Sequence, residues 1–251
     1  MGWLESGDGW PLILLHGFAL RAEMWRPQLE SPPPGWRCIA PDLRGIGAGP
    51  PLDRAVSMEE YARDIDALMD ALEIDRAVIG GVSMGGYITF ALFRLAPARF
   101  TAMILADTRS QADTPAGREG RLQLRKLLAE QGPRAVADDM LPKLLSPDAA
   151  PRTVRMVRQW IESLDPRAID AAIGALIDRP DSTPDLSRIN LPALVIVGHA
   201  DTITPPADSE AMQRSIARSR LVVIPDAGHL ANVENPDAFS RALADFVGSA
   251  L

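Results

Sequence analysis

Gly81-Val82-Ser83-Met84-Gly85 lies directly behind the apolar run Ala77-Val78-Ile79 and ahead of a helical stretch that opens at about Gly86. A serine with glycines two residues to either side, set between a strand and a helix, fits a tight strand-to-helix turn where larger side chains clash. The helix N-terminus then presents free N–H groups and the positive end of its dipole to the serine. That arrangement favours an oxyanion developing beside it.

The surrounding pattern fits the same element. Leu12-Ile13-Leu14-Leu15, Cys38-Ile39-Ala40 and Ala102-Met103-Ile104-Leu105 are too short for helices and are bounded by Gly, Pro or Asp. They read as buried strands, because a parallel sheet covered on both faces needs apolar side chains on both. Trp3-Leu4-Glu5 reads as a starting strand. Ser57 precedes Met58-Glu59-Glu60 as an N-cap with an acid three residues on, and a helix follows to about Leu72. Strands alternating with helices imply βαβ units and an α/β sheet.

The rhythm breaks at Asp107. From there to about Asp185 helical patterns near 120–130, 134–141, 152–163 and 167–177 are separated by Pro133, Pro147, Pro151 and Pro166. Proline suits a helix's first turn and resists its interior, so these residues mark separate short helices. Strand signals resume at Ala193–Val197 and Leu221–Ile224, and a last helix runs from about Pro236 to Val247. The economical reading is one α/β core, residues 1–106 and 186–251, carrying a helical insert over 107–185.

Composition removes several classes of function. A formal charge of −7 is the wrong sign for a protein living on phosphate backbones or anionic membrane, so nucleic-acid binding is disfavoured. Cys38 is the single cysteine, which excludes an intrachain disulfide and zinc sites built on cysteine pairs and suits a reducing cytoplasm. His16, His199 and His229 have no metal-ligand spacing. No apolar stretch is long enough to span a membrane and no signal peptide is visible, so a cytoplasmic location is expected.

A serine hydroxyl is a poor nucleophile until a base takes its proton, and histidine is the usual base. His16 ends the Leu12–Leu15 strand in a sequence suited to an exposed loop, and His199 lies two residues before Asp201. His229, in the loop after the Leu221–Ile224 strand, is the candidate base, because Ser, then Asp, then His is the order expected for a triad on such a sheet. Asp201 follows the Ala193–Gly198 strand and leads into the rigid Thr204-Pro205-Pro206. It is the candidate acid that holds the imidazole tautomer. Asp107 also ends a strand and is its rival, while Asp42 reads as ordering its own glycine loop.

With these segments in order the chain resembles the α/β-hydrolase fold family over nearly its whole length. His16-Gly17-Phe18 resembles the family's oxyanion loop, Asp42-Leu43-Arg44-Gly45-Ile46-Gly47 its second glycine loop and Gly81–Gly85 its nucleophile elbow. Gly198-His199-Ala200-Asp201 and Gly228-His229 resemble its acid and histidine segments. The resemblance implies a mostly parallel central sheet flanked by helices, with a helical lid inserted after the sixth strand. It also implies an oxyanion hole from the backbone N–H groups of Phe18 and Met84. Met24-Trp25-Arg26-Pro27-Gln28 and the elbow look most like small carboxylesterases and 3-oxoadipate enol-lactonases. Ile46 and Gly49 stand where the family usually has His and Ser. Ala19 stands where the similar cofactor-free haloperoxidases carry proline. Serine at position 83 also argues against epoxide hydrolases and haloalkane dehalogenases, which need a carboxylate there.

The implied activity is hydrolysis of a small-molecule ester or lactone with no metal or organic cofactor. A non-catalytic small-molecule receptor on the same fold is the alternative of another class. Leu124, Leu128, Met140, Leu141, Leu145, Val157, Trp160 and Ile161 recur at helical spacing in the lid. Of these, Trp160, Leu141 and Leu145 are named as pocket candidates. An apolar roof favours neutral short-to-medium acyl esters. A carboxylate-bearing lactone would need a cation, for which Arg109 is the best-placed residue and Arg44 the next.

Overall fold

A computed structural model of the protein describes residues 1–52 and 56–250, so Asp53, Arg54, Ala55 and Leu251 of the expected core lie outside the described residues. Seven strands form one sheet in the order β1-β3-β2-β4-β5-β6-β7. They are β1 Trp3–Ser6, β2 Trp10–Leu15, β3 Trp36–Pro41, β4 Ala77–Val82, β5 Phe100–Ala106, β6 Ala193–Gly198 and β7 Ser219–Ile224. Only β1 is antiparallel, pairing Trp3 with Pro41 at one edge, and every other neighbour is parallel. The apolar runs fall in register across the centre. Leu12 lies beside both Cys38 and Val78, and Val78 beside Ala102. Leu12 to Leu15 are wholly buried, as a strand covered on both faces must be.

Helix α1 (Arg26–Glu30) carries the chain from β2 to β3, and α2 (Met58–Ala71) carries it back across β2 to β4. From there α3 (Met84–Leu95) leads to β5, and the sheet keeps growing in that second direction. Parallel crossovers are right-handed, so the reversal puts α1 on the face opposite α2 and α3. The packing agrees, because α2 lies on α3 while α1 contacts α9 (Pro236–Ala250). The reversal occurs at β2, and the loops leaving β2 and β4 therefore diverge there. Open α/β sheets bind ligands in that crevice.

Between β5 and β6 lie α4 (Pro115–Leu144), α5 (Pro151–Glu162), α6 (Pro166–Ile177) and the 3₁₀ turn Thr183–Arg188. Helix α7 (Pro206–Ser215) and the single turn α8 (Ala231–Glu234) complete the chain with α9. Local chemistry sets the helix starts. Ser57 accepts the Glu60 N–H at 3.1 Å, Thr114 accepts that of Gly117 ahead of Pro115, and Asp165 accepts that of Arg167 ahead of Pro166. The stretches expected at 120–130 and 134–141 are two helices that meet end to end within α4, parted at Gly132, whose φ of 75° leaves helical space just before Pro133. The helical insert follows the fifth strand and not the sixth. Among the described residues the first 106 hold five strands, the edge strand β1 included. No helix among them is long and apolar enough to cross a membrane.

Candidate active site

Ser83 sits between β4 and α3 with φ 55° and ψ −112°, a left-handed backbone rare for a residue with a side chain. The turn exists because its neighbours have no Cβ. A Cβ at Gly81 would lie 2.5 Å, and one at Gly85 2.4 Å, from the Leu15 carbonyl oxygen of the adjacent strand. The Ser83 N–H donates to Ala106 O at 2.9 Å, and Ser83 O accepts from Gly86 N–H and from the Thr108 hydroxyl, each at 2.9 Å. Strained backbone held by surrounding bonds is characteristic of functional turns.

Asp201 and His229 are joined by a 2.8 Å contact between Oδ2 and Nδ1, with both side chains essentially buried. The carboxylate is surrounded by donors. Oδ1 accepts the N–H groups of Ile203 at 2.8 Å and Thr204 at 3.0 Å, and Oδ2 also accepts the Thr204 hydroxyl at 2.7 Å. Burial alone would raise this carboxyl. The charge and hydrogen bond of His229, with the Thr204 donors, prevail and hold it below the usual carboxylate range. An acceptor-only carboxylate requires a proton on His229 Nδ1, so that in the neutral ring the lone pair lies on Nε2. The loops themselves touch, for a Cβ at Gly198 would lie 2.0 Å from Gly228 O.

Ser83 and His229 line one cavity together with Gly17 and Phe18 from the loop after β2. A Cβ on Gly17 would stand 3.6 Å from the Ser83 Cβ, so that loop lies against the serine. The cavity measures about 20 Å³ at the centre of a water-sized sphere, room for about one water. No hydrogen bond joins the Ser83 hydroxyl to His229 among the described residues. Such bonds are often long before substrate binds. Met84 is fully buried, and its N–H stands at the first position of α3, where no preceding turn supplies a carbonyl. Ala19 has φ 54°, a conformation closed to proline, so its backbone explains why the haloperoxidase-like proline is missing.

The insert closes the cavity with Arg121, Met140, Leu144 and Leu176. Leu141 and Leu145 are buried but do not line it. Met140 and Leu144 are four residues apart and share a helix face, and each next residue turns about 100° away. Leu145 instead abuts the histidine loop through its backbone, 2.9 Å from where a Gly228 Cβ would stand. Trp160 is half-buried on α5, packed against the core and apart from the cavity. Arg109 points into a neighbouring groove of about 310 Å³, and its Nε lies 3.4 Å from Asp208. Arg44 is committed to Asp64 through two contacts of 2.9 and 2.6 Å.

His16 is wholly buried, unlike the exposed loop expected for it. Its Nδ1 donates to Gly17 O at 2.9 Å while Nε2 accepts the Leu43 N–H at 3.1 Å, a bond set only the neutral ring can make. Burial lowers its pKa. His199 is exposed. Asp42 does order its glycine loop, accepting the N–H groups of Ala22 and Ala48.

Two further side chains hold the site's loops in roles that the sequence did not assign to them. Glu234 accepts the Gly228 N–H at 2.7 Å and the Ser146 N–H at 2.8 Å, tying the histidine loop to the insert. Asp107, the sequence rival for the acid, accepts the N–H groups of Gly198 and Ala231. Burial and the nearby Asp201 charge raise its carboxyl well above the usual range.

The matches to known proteins span this whole arrangement. The model of the alpha/beta hydrolase family matches residues 12–242. A thermophilic esterase from Thermogutta terrifontis, solved with malate bound, superposes with a TM-score of 0.95 at 37% identity, covering 99% of this chain and 93% of that one. The enol-lactonase from Burkholderia xenovorans LB400 superposes at 0.90 with 28% identity, covering 99% and 96%. A 3-oxoadipate enol-lactonase of Acinetobacter baylyi is 29% identical over 92% of this chain and 86% of its own length. A left-handed serine at the end of β4, a buried Asp–His pair on the loops after β6 and β7 and a match over nearly every strand place the chain in the alpha/beta hydrolase family.

Proposed function

We propose that the protein is a serine hydrolase that cleaves carboxylic esters of small molecules through an acyl-enzyme. The reading rests chiefly on the 2.8 Å His229–Asp201 pair opening onto the same cavity as Ser83. In this reading Ser83 Oγ attacks the ester carbonyl as its proton passes to His229 Nε2. Asp201, bound to Nδ1–H, stabilises the imidazolium that forms. The N–H groups of Phe18 and Met84 receive the developing oxyanion. His229 returns the proton to the departing alcohol, and water, deprotonated by the same Nε2, then releases the acid and restores Ser83.

Residues 107–185 serve as the lid in this proposal, on a core of 1–106 and 186–251. Leu20, Phe18, Met140, Leu144 and Leu176 make most of the cavity wall apolar, which supports a small acyl group lodged there. A cyclic ester would react by the same steps with its alcohol still tethered, a second reading favoured by the enol-lactonase relatives.

The test is hydrolysis of p-nitrophenyl acetate and butyrate by wild type and Ser83→Ala. Loss of turnover in the variant is expected. Equal rates would instead leave a small-molecule receptor on this fold.

A further inference from the structure

We infer that Arg121 binds a carboxylate carried by the substrate, so that the preferred ester is an anionic one. The inference rests on the serine-hydrolase reading and names the substrate class for that same site. Besides His229, Arg121 is the only ionisable side chain among the described residues that line the Ser83 cavity. Its guanidinium lies 6.0 Å from the centre of the Phe18 ring, beside the loop assigned to the oxyanion hole.

Its anchoring leaves the binding end open. Nε contacts Asp113 Oδ2 at 3.2 Å, while neither Nη group has a hydrogen-bond partner among the described residues. Asp113 is shared, since Arg179 Nη2 donates to its other oxygen at 2.8 Å. Burial would raise the Asp113 carboxyl, yet Arg179 and Arg121 hold it below the usual range, so it stays ionised. One carboxylate therefore faces two guanidiniums, and a positive charge is left over. Arg179 is buried with its Nη1 on Leu176 O, so the surplus falls to Arg121, whose side chain keeps 19% of its exposure.

Arg121 also stands where the small cavity meets the 310 Å³ groove. Of the other cations of that groove, Lys143 is held by Asp139 at 2.7 Å, and Arg109, 3.4 Å from Asp208, does not line the Ser83 cavity. A substrate with its scissile carbonyl at Ser83 and a carboxylate a few bonds away would find one unpaired guanidinium edge waiting. Such an edge favours bidentate carboxylate recognition. This reverses the preference for neutral esters expected from the apolar stripes of the lid, because helical spacing does not disclose which arginine faces inward.

Monomethyl glutarate and dimethyl glutarate differ by one charge at nearly constant shape, and pH-stat hydrolysis of both by wild type, Arg121→Gln and Arg121→Lys tests the inference. Wild type should favour the monoester. In Arg121→Gln the monoester-to-diester ratio of kcat/KM should fall about ten-fold or more, mainly through KM, with part of it restored in Arg121→Lys. A wild-type preference for the diester, an unchanged ratio, or an equal fall for both substrates would overturn it. The equal fall would mean that Arg121 acts on the oxyanion or the fold. If wild type hydrolyses neither ester faster than Ser83→Ala, the hydrolase reading itself fails. Calorimetry of glutarate binding to Ser83→Ala then decides for Arg121 separately. Binding lost on adding Arg121→Gln supports the carboxylate site, and absent or unaltered binding overturns it.

Discussion

Gly198 donates its N–H to the Asp107 carboxylate at 2.8 Å, which fastens the end of the strand leading to Asp201 to a residue outside the Asp201–His229 pair. The other Asp107 oxygen receives the Ala231 N–H at 3.4 Å, two residues beyond His229. Asp107 holds φ 43° to make both contacts, and its own N–H donates to Ile196 O. The next residue, Thr108, donates its hydroxyl to Ser83 O. Two consecutive side chains after β5 thus hold the serine, acid and histidine segments together.

Two buried carboxylates, Asp107 and Asp201, should give opposite pH dependences of stability. The raised Asp107 carboxyl means folding favours its protonated form, so its contribution falls as pH rises from about 3.9 toward its folded value. The lowered Asp201 carboxyl contributes stability above about 3.9 that is lost as pH falls through its folded value. Melting temperatures across the acid-to-neutral range check both signs. Asp107→Asn should gain on wild type as pH rises, whereas the deficit of Asp201→Asn should shrink in acid. Parallel trends in the two variants would contradict this assignment.

Rates should separate the same residues. Asp201→Asn should lower kcat by as much as about 10⁴-fold, because the amide no longer fixes the productive imidazole tautomer. Thr204→Val removes one donor from the Asp201 carboxylate and should lower kcat by about ten-fold. Steady-state assays on one ester suffice. A crippled Asp107→Asn beside a mild Asp201→Asn would make Asp107 the functional acid.

The glycines offer a contrast between crowding and open space. Gly85→Ala would drive a Cβ to 2.4 Å from the Leu15 carbonyl oxygen, backbone that cannot swing aside, and should destabilise by about 1–3 kcal/mol. Gly174 lies inside α6 with nothing within 4 Å of its Cβ position, so Gly174→Ala should stabilise by about 0.5–1 kcal/mol. Urea unfolding of the two variants measures both.

Arg44 and Asp64 form a bidentate pair with side-chain exposures of only 7% and 10%. Asp64→Ala should cost about 1–3 kcal/mol by removing both carboxylate contacts from the guanidinium, whose Nη1 still donates to Pro51 O. The double variant Arg44→Met with Asp64→Leu should lose less than the two single losses summed, since both ends of the pair are replaced together. A double-mutant cycle by denaturant unfolding reads the difference, and a double variant that loses the full sum would refute it.

Much of the fold was legible because buried parallel strands demand short continuous apolar runs, and Leu12–Leu15 or Ala193–Val197 can be little else. Ser83 was legible through Gly81 and Gly85, whose missing side chains are a geometric need of the turn. The cavity-lining residues of the insert resisted for a reason of rotation. The apolar arc of α4 admits Leu141 as readily as Met140, and only the packed helix chooses the face turned to the serine. The same freedom left Arg121, on that helix, unread as a residue lining the cavity. His16 misled because Gly17 beside it reads as an exposed loop, while the central place of β2 in the sheet buries the ring. Glu234 carried a faint signal, an acid five residues after His229, but its two backbone partners lie far apart in the chain.

The Asp107–Thr108 pair also decides where this chain can be cut and rejoined with a relative. Residues 109–185 are closed at their base by a staple of their own, Ser182 N–H to Ser110 O at 2.8 Å and the Ser110 and Thr183 hydroxyls at 3.0 Å. A chimera that imports a foreign insert from Arg109 onward carries that staple with it and leaves the Ser83, Asp201 and His229 segments tied as before. One spliced two residues earlier replaces the knot as well as the insert. Recombination at this seam therefore exchanges the insert while the Ser83, Asp201 and His229 segments are inherited whole.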